Sequence, residues 1–278
     1  MPPTTEDVTL SLLKEWGLPD PGGSKKSRGQ VVVVGGSSRS PGAVLLSGEA
    51  ALRVGAGRVG LAVPADLAPH LGAAMPEAGI YLFPPEDDAL DDALRSAVES
   101  ADAVLLGPGF DDPDATRAAL RTVAAADVSR LVLDAFALGI LPDFDRGLLP
   151  TDLLINANEE EAALLLEREL GDDRAVDVAE IARRYSAVVH CFGTVASPDG
   201  RTWRAEPGGS GLGTAGSGDV LSGAITGFAA LGMQPERAAV WGGWTHARAG
   251  DRLTERAGVG FLARDLPAEL TAVLHDSR

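Results

Sequence analysis

Residues 211–232 read "GLGTAGSGDVLSGAITGFAALG". Glycines crowd around a single acid, Asp219, and give way to an apolar stretch of helical character. The backbone N–H groups of such a loop, added to the free N–H groups and positive dipole end of a helix, form a hole for phosphate. A carboxylate placed there repels a phosphate in the ground state. It becomes useful if it takes the proton from a hydroxyl as that oxygen attacks phosphorus, because the electrostatic gain then arises mainly in the transition state. A P-loop is a poor alternative, since no GxxxxGK[ST] pattern occurs, and "GGSSRSPG" lacks the GxGxxG spacing of a dinucleotide fingerprint.

Four further places join Gly216, Ser217, Gly218 and Asp219 as candidates. Gly35, Gly36 and Ser37 follow an apolar run, Gly107 and Gly109 flank a proline in "LGPG", Asp134 ends "RLVLD", and Asn158 and Glu161 lie in "NANEEEA". Each has a plain reading when taken alone. Glycines end strands because they take positive φ without strain, and "EEEA" suits a solvated first helical turn favoured by the helix dipole. The five fall together, however, on the carboxyl edge of the predicted strands, where ligands of open α/β sheets sit.

The elements that must position these residues alternate along the chain. "QVVVVGGS" (30–37) reads as a buried strand, because β-branched residues run continuously where a one-faced strand would alternate. "PGAVLLSGEAALRVGAG" (41–57) reads as a helix with Pro41 at its start and Gly55 near its end. Strands follow at "RVGLAVP", "DAVLLGPG", "RLVLDAFAL", "DLLINAN" and "AVVHCF", with helices between them. "TVASPDGRTWRA" reads as a hairpin turning at Asp199 and Gly200. Helices "PERAAVWGGWTHARAGDRLTE" and "ARDLPAELTAVLHD" finish the chain, Trp241 and Trp244 being assigned to core ahead of a subunit contact. The acid-rich segment 84–102 is expected to be a solvated helix face. Strand and helix in alternation predict an α/β fold, a mostly parallel central sheet with helices on both faces. The 278 residues are read as a single domain, 1–278, with 1–24 as an N-terminal extension.

Composition bounds the function. A hydrophobic content of 45% is ample for a core, and the single cysteine, Cys191, excludes an intramolecular disulfide framework. One cysteine and four histidines are little material for zinc. The formal charge of −16, from 40 acids and 24 bases, disfavours nucleic acid and anionic membranes as partners. The basic cluster "SKKSR" (24–28) is too small to reverse that. No apolar stretch approaches the ~18 residues of a membrane span, and the N-terminus lacks a signal-peptide core. A reducing cytoplasm is the expected location.

The motifs in order resemble one branch of the ribokinase-like superfamily, the ADP/ATP-dependent NAD(P)H-hydrate dehydratases of the YjeF C-terminal type. "KKSRGQVVVVGGS", "SPGAVLLSGEAALRVGAG", "MPEA" (75–78), "LGPG", "LDAFAL" against the family's "LDADAL", and "GTAGSGDVLSG" against its "GTGDVLAG" follow the family's order over roughly residues 25–255. Two segments depart. "INANEEEA" stands where the family has "TPHPGE", so Asn158 takes a histidine position while Glu161 keeps the acid. "VVHCFGTV" stands for "VVLKGAxTV", so Cys191 takes the lysine position and reads as a small apolar strand residue.

The resemblance implies a ribokinase-like fold and a hydro-lyase acting on hydrated NADH or NADPH (NADHX, NADPHX), with ADP or ATP as phosphoryl donor and Mg²⁺. It implies Asp219 as the base, and Ala43, Gly109, Asn158 and Asp219 as residues around the hydrated substrate. Cys191, Phe192, Gly193 and Thr194 would lie along the nucleotide. The N–H groups of Ala215, Gly216, Ser217 and Gly218 would hold the transferring phosphoryl group, and Glu161 would hold the metal, through water. A homo-oligomer and a separate NAD(P)HX epimerase are the implied partners. A small-molecule kinase of the same fold, acting on a sugar or vitamin precursor, is the alternative, and a non-catalytic nucleotide-binding protein a more distant one.

Overall fold

The computed structural model describes residues 4–20, 23–25, 27–83 and 90–278. Ten strands form one sheet: β1 (Thr4–Asp7), β2 (Gln30–Val34), β3 (Arg58–Val63), β4 (Ala78–Leu82), β5 (Ala103–Leu106), β6 (Arg130–Asp134), β7 (Asp152–Ala157), β8 (Val188–Cys191), β9 (Thr194–Ala196) and β10 (Arg201–Arg204). Their spatial order is β1-β10-β9-β8-β7-β6-β5-β2-β3-β4. Every pairing is parallel except the two made by β9, which runs antiparallel to β8 and β10.

The unbroken valines of β2 follow from burial on both faces. Val31 and Val33 pack into one core and Val32 and Val34 into the other, all four with no exposed surface. An alternating pattern would leave a polar face against helices. The sheet's edges are β1, which carries no apolar run, and β4 (AGIYL), and burial is partial in both. Residues 4–7 thus extend the sheet through β10, and the helix after them, Leu10–Trp16, buries Leu13 and sets Trp16 edge-on to Trp203. Within the acid-rich segment, 84–89 lie outside the described residues. The remainder forms the helix Asp92–Glu99, capped by Asp91 and burying Leu94, Ala97 and Val98. The hairpin turns at Gly200 with φ of +94°. Trp241 is a core residue, 1% exposed.

The helix that carries Asp219, Ser217–Ala230, is aimed by close packing. A Cβ on Gly223 would fall 2.2 Å from the Ser47 carbonyl oxygen, and one on Gly227 would fall 2.8 Å from that of Ala51. These two glycines, one turn apart, let the helix Ala43–Arg53 approach backbone to backbone. Ser47 Oγ then donates to the Asp219 carbonyl oxygen at 2.9 Å. The apolar run after the loop is therefore the rail that fixes where the loop ends.

Candidate active site

A cavity of about 700 Å³ opens where β6, β7 and β8 end and the helix Ser217–Ala230 begins. Of the residues expected from sequence, Asn158, Glu161, Phe192, Gly193, Gly216, Ser217, Gly218 and Asp219 line it. Ala43 and Gly109 do not. They form a neighbouring crevice, in which a Cβ on Gly109 would fall 3.0 Å from Ala43 Cβ and 3.1 Å from Gly36 Cα. The two places meet through the Ala43–Arg53 helix, whose Leu46 side chain reaches within 2.6 Å of where a Gly216 Cβ would stand. Cys191 and Thr194 are buried within β8 and β9, and neither they nor Ala215 form the cavity wall.

The helix start is built to receive an anion. Its N-cap is Gly216, left-handed at φ of +91°, and no side chain caps the first turn. A serine or aspartate cap would occupy N–H groups that a ligand needs. Of the four N–H groups from Ala215 to Gly218, that of Ser217 is already given to the Thr214 carbonyl at 3.2 Å. Asp219 sits in the first turn, where the dipole favours a carboxylate. Burial outweighs this and, with the charge of Glu161, pushes Asp219 up to about 6. A carboxylate with that proton affinity is ionised at neutral pH yet basic enough to accept a hydroxyl proton.

Behind Asp219 lies a buried polar row that the sequence reading did not find beyond Asp134. Register places Asp134 beside Asn156 and Asn156 beside His190 on three consecutive strands. Asn156 Nδ2 donates to Asp134 Oδ1 at 3.0 Å, and His190 Nδ1 meets Asn156 Oδ1 at 2.9 Å. Because Oδ1 of an amide only accepts, His190 carries its proton on Nδ1. Ser222 Oγ lies 2.9 Å from Asp134 Oδ2, and 3.1 and 3.2 Å from the Gly218 and Asp219 carbonyl oxygens. Ser217 Oγ meets His246 Nε2 at 3.1 Å. Burial, aided by each other's proximity at His190, holds both histidines down at about 4, so they are neutral. Burial, then Glu161 and Asp219, raise Asp134 well above the usual carboxylate range.

Asn158 and Glu161 form a reciprocal cap on the helix Glu159–Leu166. The Glu161 N–H donates to Asn158 Oδ1 at 2.8 Å, and the Asn158 N–H donates to Glu161 Oε2 at 2.9 Å. An N-x-x-E spacing before an apolar run signals such a box in sequence, and it accounts for this pair without a ligand. Burial raises Glu161. Among the described residues no cluster of three or more His, Cys, Asp or Glu is placed to hold a metal ion. Mg²⁺ bound chiefly by phosphates needs only one or two carboxylates. Glu161 Oε1, outside the cap, suits that donor set, which leaves Asp219 free to accept a proton. Cys191 is a core residue whose thiol burial pushes up to about 11.

The sequence pattern defining the NAD(P)H-hydrate dehydratase family matches residues 31–272. The chain belongs to that family. It is 42% identical over 288 aligned residues to the ADP-dependent (S)-NAD(P)H-hydrate dehydratase of Xanthomonas campestris, covering 98% of this chain and 97% of the relative. It is 34% identical over 270 residues to the bifunctional NAD(P)H-hydrate repair enzyme of Moorella thermoacetica, covering 91% of this chain and spanning about half, 51%, of that longer relative. The crystal structure of the Bacillus subtilis ADP/ATP-dependent NAD(P)H-hydrate dehydratase, grown with ATP and Mg²⁺, superposes with a TM-score of 0.83 at 25% identity, covering 97% of this chain and 98% of that one. The fold is ribokinase-like. The longest helix, Pro235–Ala257, is not apolar enough to cross a membrane, nor is any other among the described residues.

Proposed function

We propose that this member of the family dehydrates hydrated NADH and NADPH with ADP or ATP as phosphoryl donor. The observation that carries the reading is Asp219, half-buried in the first turn of an uncapped helix and raised to about 6 in a cavity that can take a nucleotide. Hydroxide is a poor leaving group, and phosphate a good one. Asp219 takes the proton of the ring hydroxyl as its oxygen forms a bond to the terminal phosphorus, while the bond from that phosphorus to the rest of the nucleotide breaks. The free N–H groups at the helix start hold the phosphoryl oxygens as charge shifts among them. The lone pair of the adjacent ring nitrogen then expels phosphate by breaking the carbon–oxygen bond, and loss of a proton from the next ring carbon restores the dihydropyridine.

Mg²⁺, held by Glu161 and the nucleotide's oxygens, would neutralise charge on the phosphates. Asn158 can turn its free Nδ2 toward the substrate while its Oδ1 stays in the cap. Ala43 and Gly109 would hold the remainder of the dinucleotide in the adjoining crevice, where small residues allow close approach. Gly193 and Phe192 would border the nucleotide, with Cys191 and Thr194 supporting them from within the sheet. A homo-oligomer, cytoplasmic residence and a separate epimerase accompany this reading as the resemblance implies. Product analysis tests it. Incubation with hydrated NADH, ADP and Mg²⁺ should regenerate reduced-nicotinamide absorbance with one free phosphate per turnover, and a stable phosphoester with no recovered absorbance would show a kinase instead.

A further inference from the structure

A phosphoryl group in transfer spreads its charge over oxygens that only accept hydrogen bonds. Of the N–H groups from Ala215 to Gly218 that would meet them, the one on Ser217 is spent on the Thr214 carbonyl oxygen. Among the described residues no lysine or arginine lines the cavity, and the charged side chains on its wall, Asp134, Glu161 and Asp219, are acids. Neutral donors are what the wall offers. The Ser217 side chain is one of them, at the first residue of the helix Ser217–Ala230 and between the Gly216 cap and Asp219.

Against that hydroxyl stands His246, which lines the same cavity from the helix Pro235–Ala257. Its Nε2 lies 3.1 Å from Ser217 Oγ, and both residues are 6% exposed. A hydroxyl has a single proton to give, and so has a neutral imidazole. If Ser217 donates to Nε2, the hydroxyl turns only lone pairs to the cavity and repels a phosphate. If Nε2–H donates to Oγ, the hydroxyl proton is free to point into the cavity. A ligand that only accepts selects the second arrangement. We propose that Ser217 binds the transferring phosphoryl group through its side chain, and that His246 is the positioning residue that aims this hydroxyl by donating Nε2–H to Oγ. The donors then run one way, from His246 through Ser217 to an oxygen on phosphorus, and each polarises the next. Burial keeps His246 neutral, so its one proton is placed by its partner, as the proton of His190 is placed on Nδ1 by Asn156. This inference rests on the phosphoryl-transfer reading above.

Steady-state kinetics with hydrated NADH, Mg²⁺ and ADP or ATP provides the test, on the wild type, Ser217→Ala, Ser217→Thr, His246→Leu, His246→Gln and the double variant Ser217→Ala/His246→Leu. Ser217→Ala should lower kcat by about 10²-fold, the loss expected for one donor to developing charge, and change the KM for nucleotide far less. Ser217→Thr should keep most of the rate. His246→Leu should lower kcat by about tenfold, and His246→Gln, which offers an amide N–H in place of Nε2–H, should recover most of that. Because His246 acts through Ser217, the double variant should be no slower than Ser217→Ala. Losses that multiply would make His246 a mere prop for the helix and overturn its role, and near-normal kcat in Ser217→Ala would overturn the whole proposal. If the wild type turns over with neither nucleotide, the phosphoryl-transfer reading itself falls. Should the His246 variants fail to fold, nitrogen NMR of the wild type with ADP and Mg²⁺ decides. His70 and His275 are exposed, and of the two buried rings one should carry its proton on Nδ1, as His190 does, and one on Nε2. Two buried rings protonated at Nδ1 would contradict the proposal.

Discussion

Asp219→Asn should push activity and stability in opposite directions. The substitution keeps shape and removes a proton acceptor, so kcat should fall on the order of 10²-fold to 10⁴-fold. It also removes a desolvated charge. The folded carboxyl titrates at about 6 against an ordinary 3.8, a gap corresponding to at most about 3 kcal/mol of destabilisation above pH 6. The sign follows from proton binding. Between pH 3.8 and about 6 the folded state holds the proton more tightly than the unfolded chain, so stability is full below that window and is lost as pH rises through it. The variant should therefore match the wild type near pH 4 and exceed it above pH 6, by roughly 2 to 4 °C in Tm per kcal/mol. His190 and His246 act in reverse, losing stability as pH falls from 6.5 toward 4. The acid limb of kcat/KM, near pH 6, should thus precede acid unfolding. Scanning calorimetry from pH 4 to 8 beside steady-state kinetics makes both measurements. A variant that keeps near-normal kcat, or one no more stable than wild type at pH 8, refutes the assignment.

Three further outcomes follow from the same geometry. Ser222 has one proton and three acceptors, which is resolved if Asp134 is protonated and donates to Ser222 Oγ. Asp134→Asn should then keep stability and the acid limb of the pH profile, whereas Asp134→Ala should cost roughly 1–3 kcal/mol in chemical denaturation; a large loss in the asparagine variant would show an ionised Asp134. Gly223→Ala would drive a Cβ into the Ser47 carbonyl. It should cost on the order of 1–3 kcal/mol and lower kcat by displacing Asp219, so a neutral result in thermal unfolding would contradict the helix contact as described. Cys191, buried with its thiol raised to about 11, should resist alkylation at neutral pH until the chain is unfolded, and rapid labelling of the native protein would overturn that.

Much of the site was readable because its signals are local. Glycines before Asp219, valines in β2 and the hairpin at Gly200 each declare themselves within a few residues. The row Asp134, Asn156, His190 was not, since it exists only through the register of three strands separated by whole helices. Asn158 and Glu161 were read for ligands, although their spacing also encodes the cap that they form. The edge strand β1 lacks the apolar run that marked the buried central strands. Ala43 and Gly109 pack beside each other but outside the main cavity, a separation that no spacing in the sequence conveys.

The fate of the ring oxygen tests the central claim most directly. Hydrated NADH prepared in water enriched in heavy oxygen carries the label in the ring hydroxyl. Turnover with unlabelled ADP and Mg²⁺ in ordinary water should deliver that label into inorganic phosphate, because the oxygen activated by Asp219 leaves bonded to phosphorus. Label appearing in water, with unlabelled phosphate, would mean direct loss of hydroxide and would contradict phosphorylation of the ring hydroxyl.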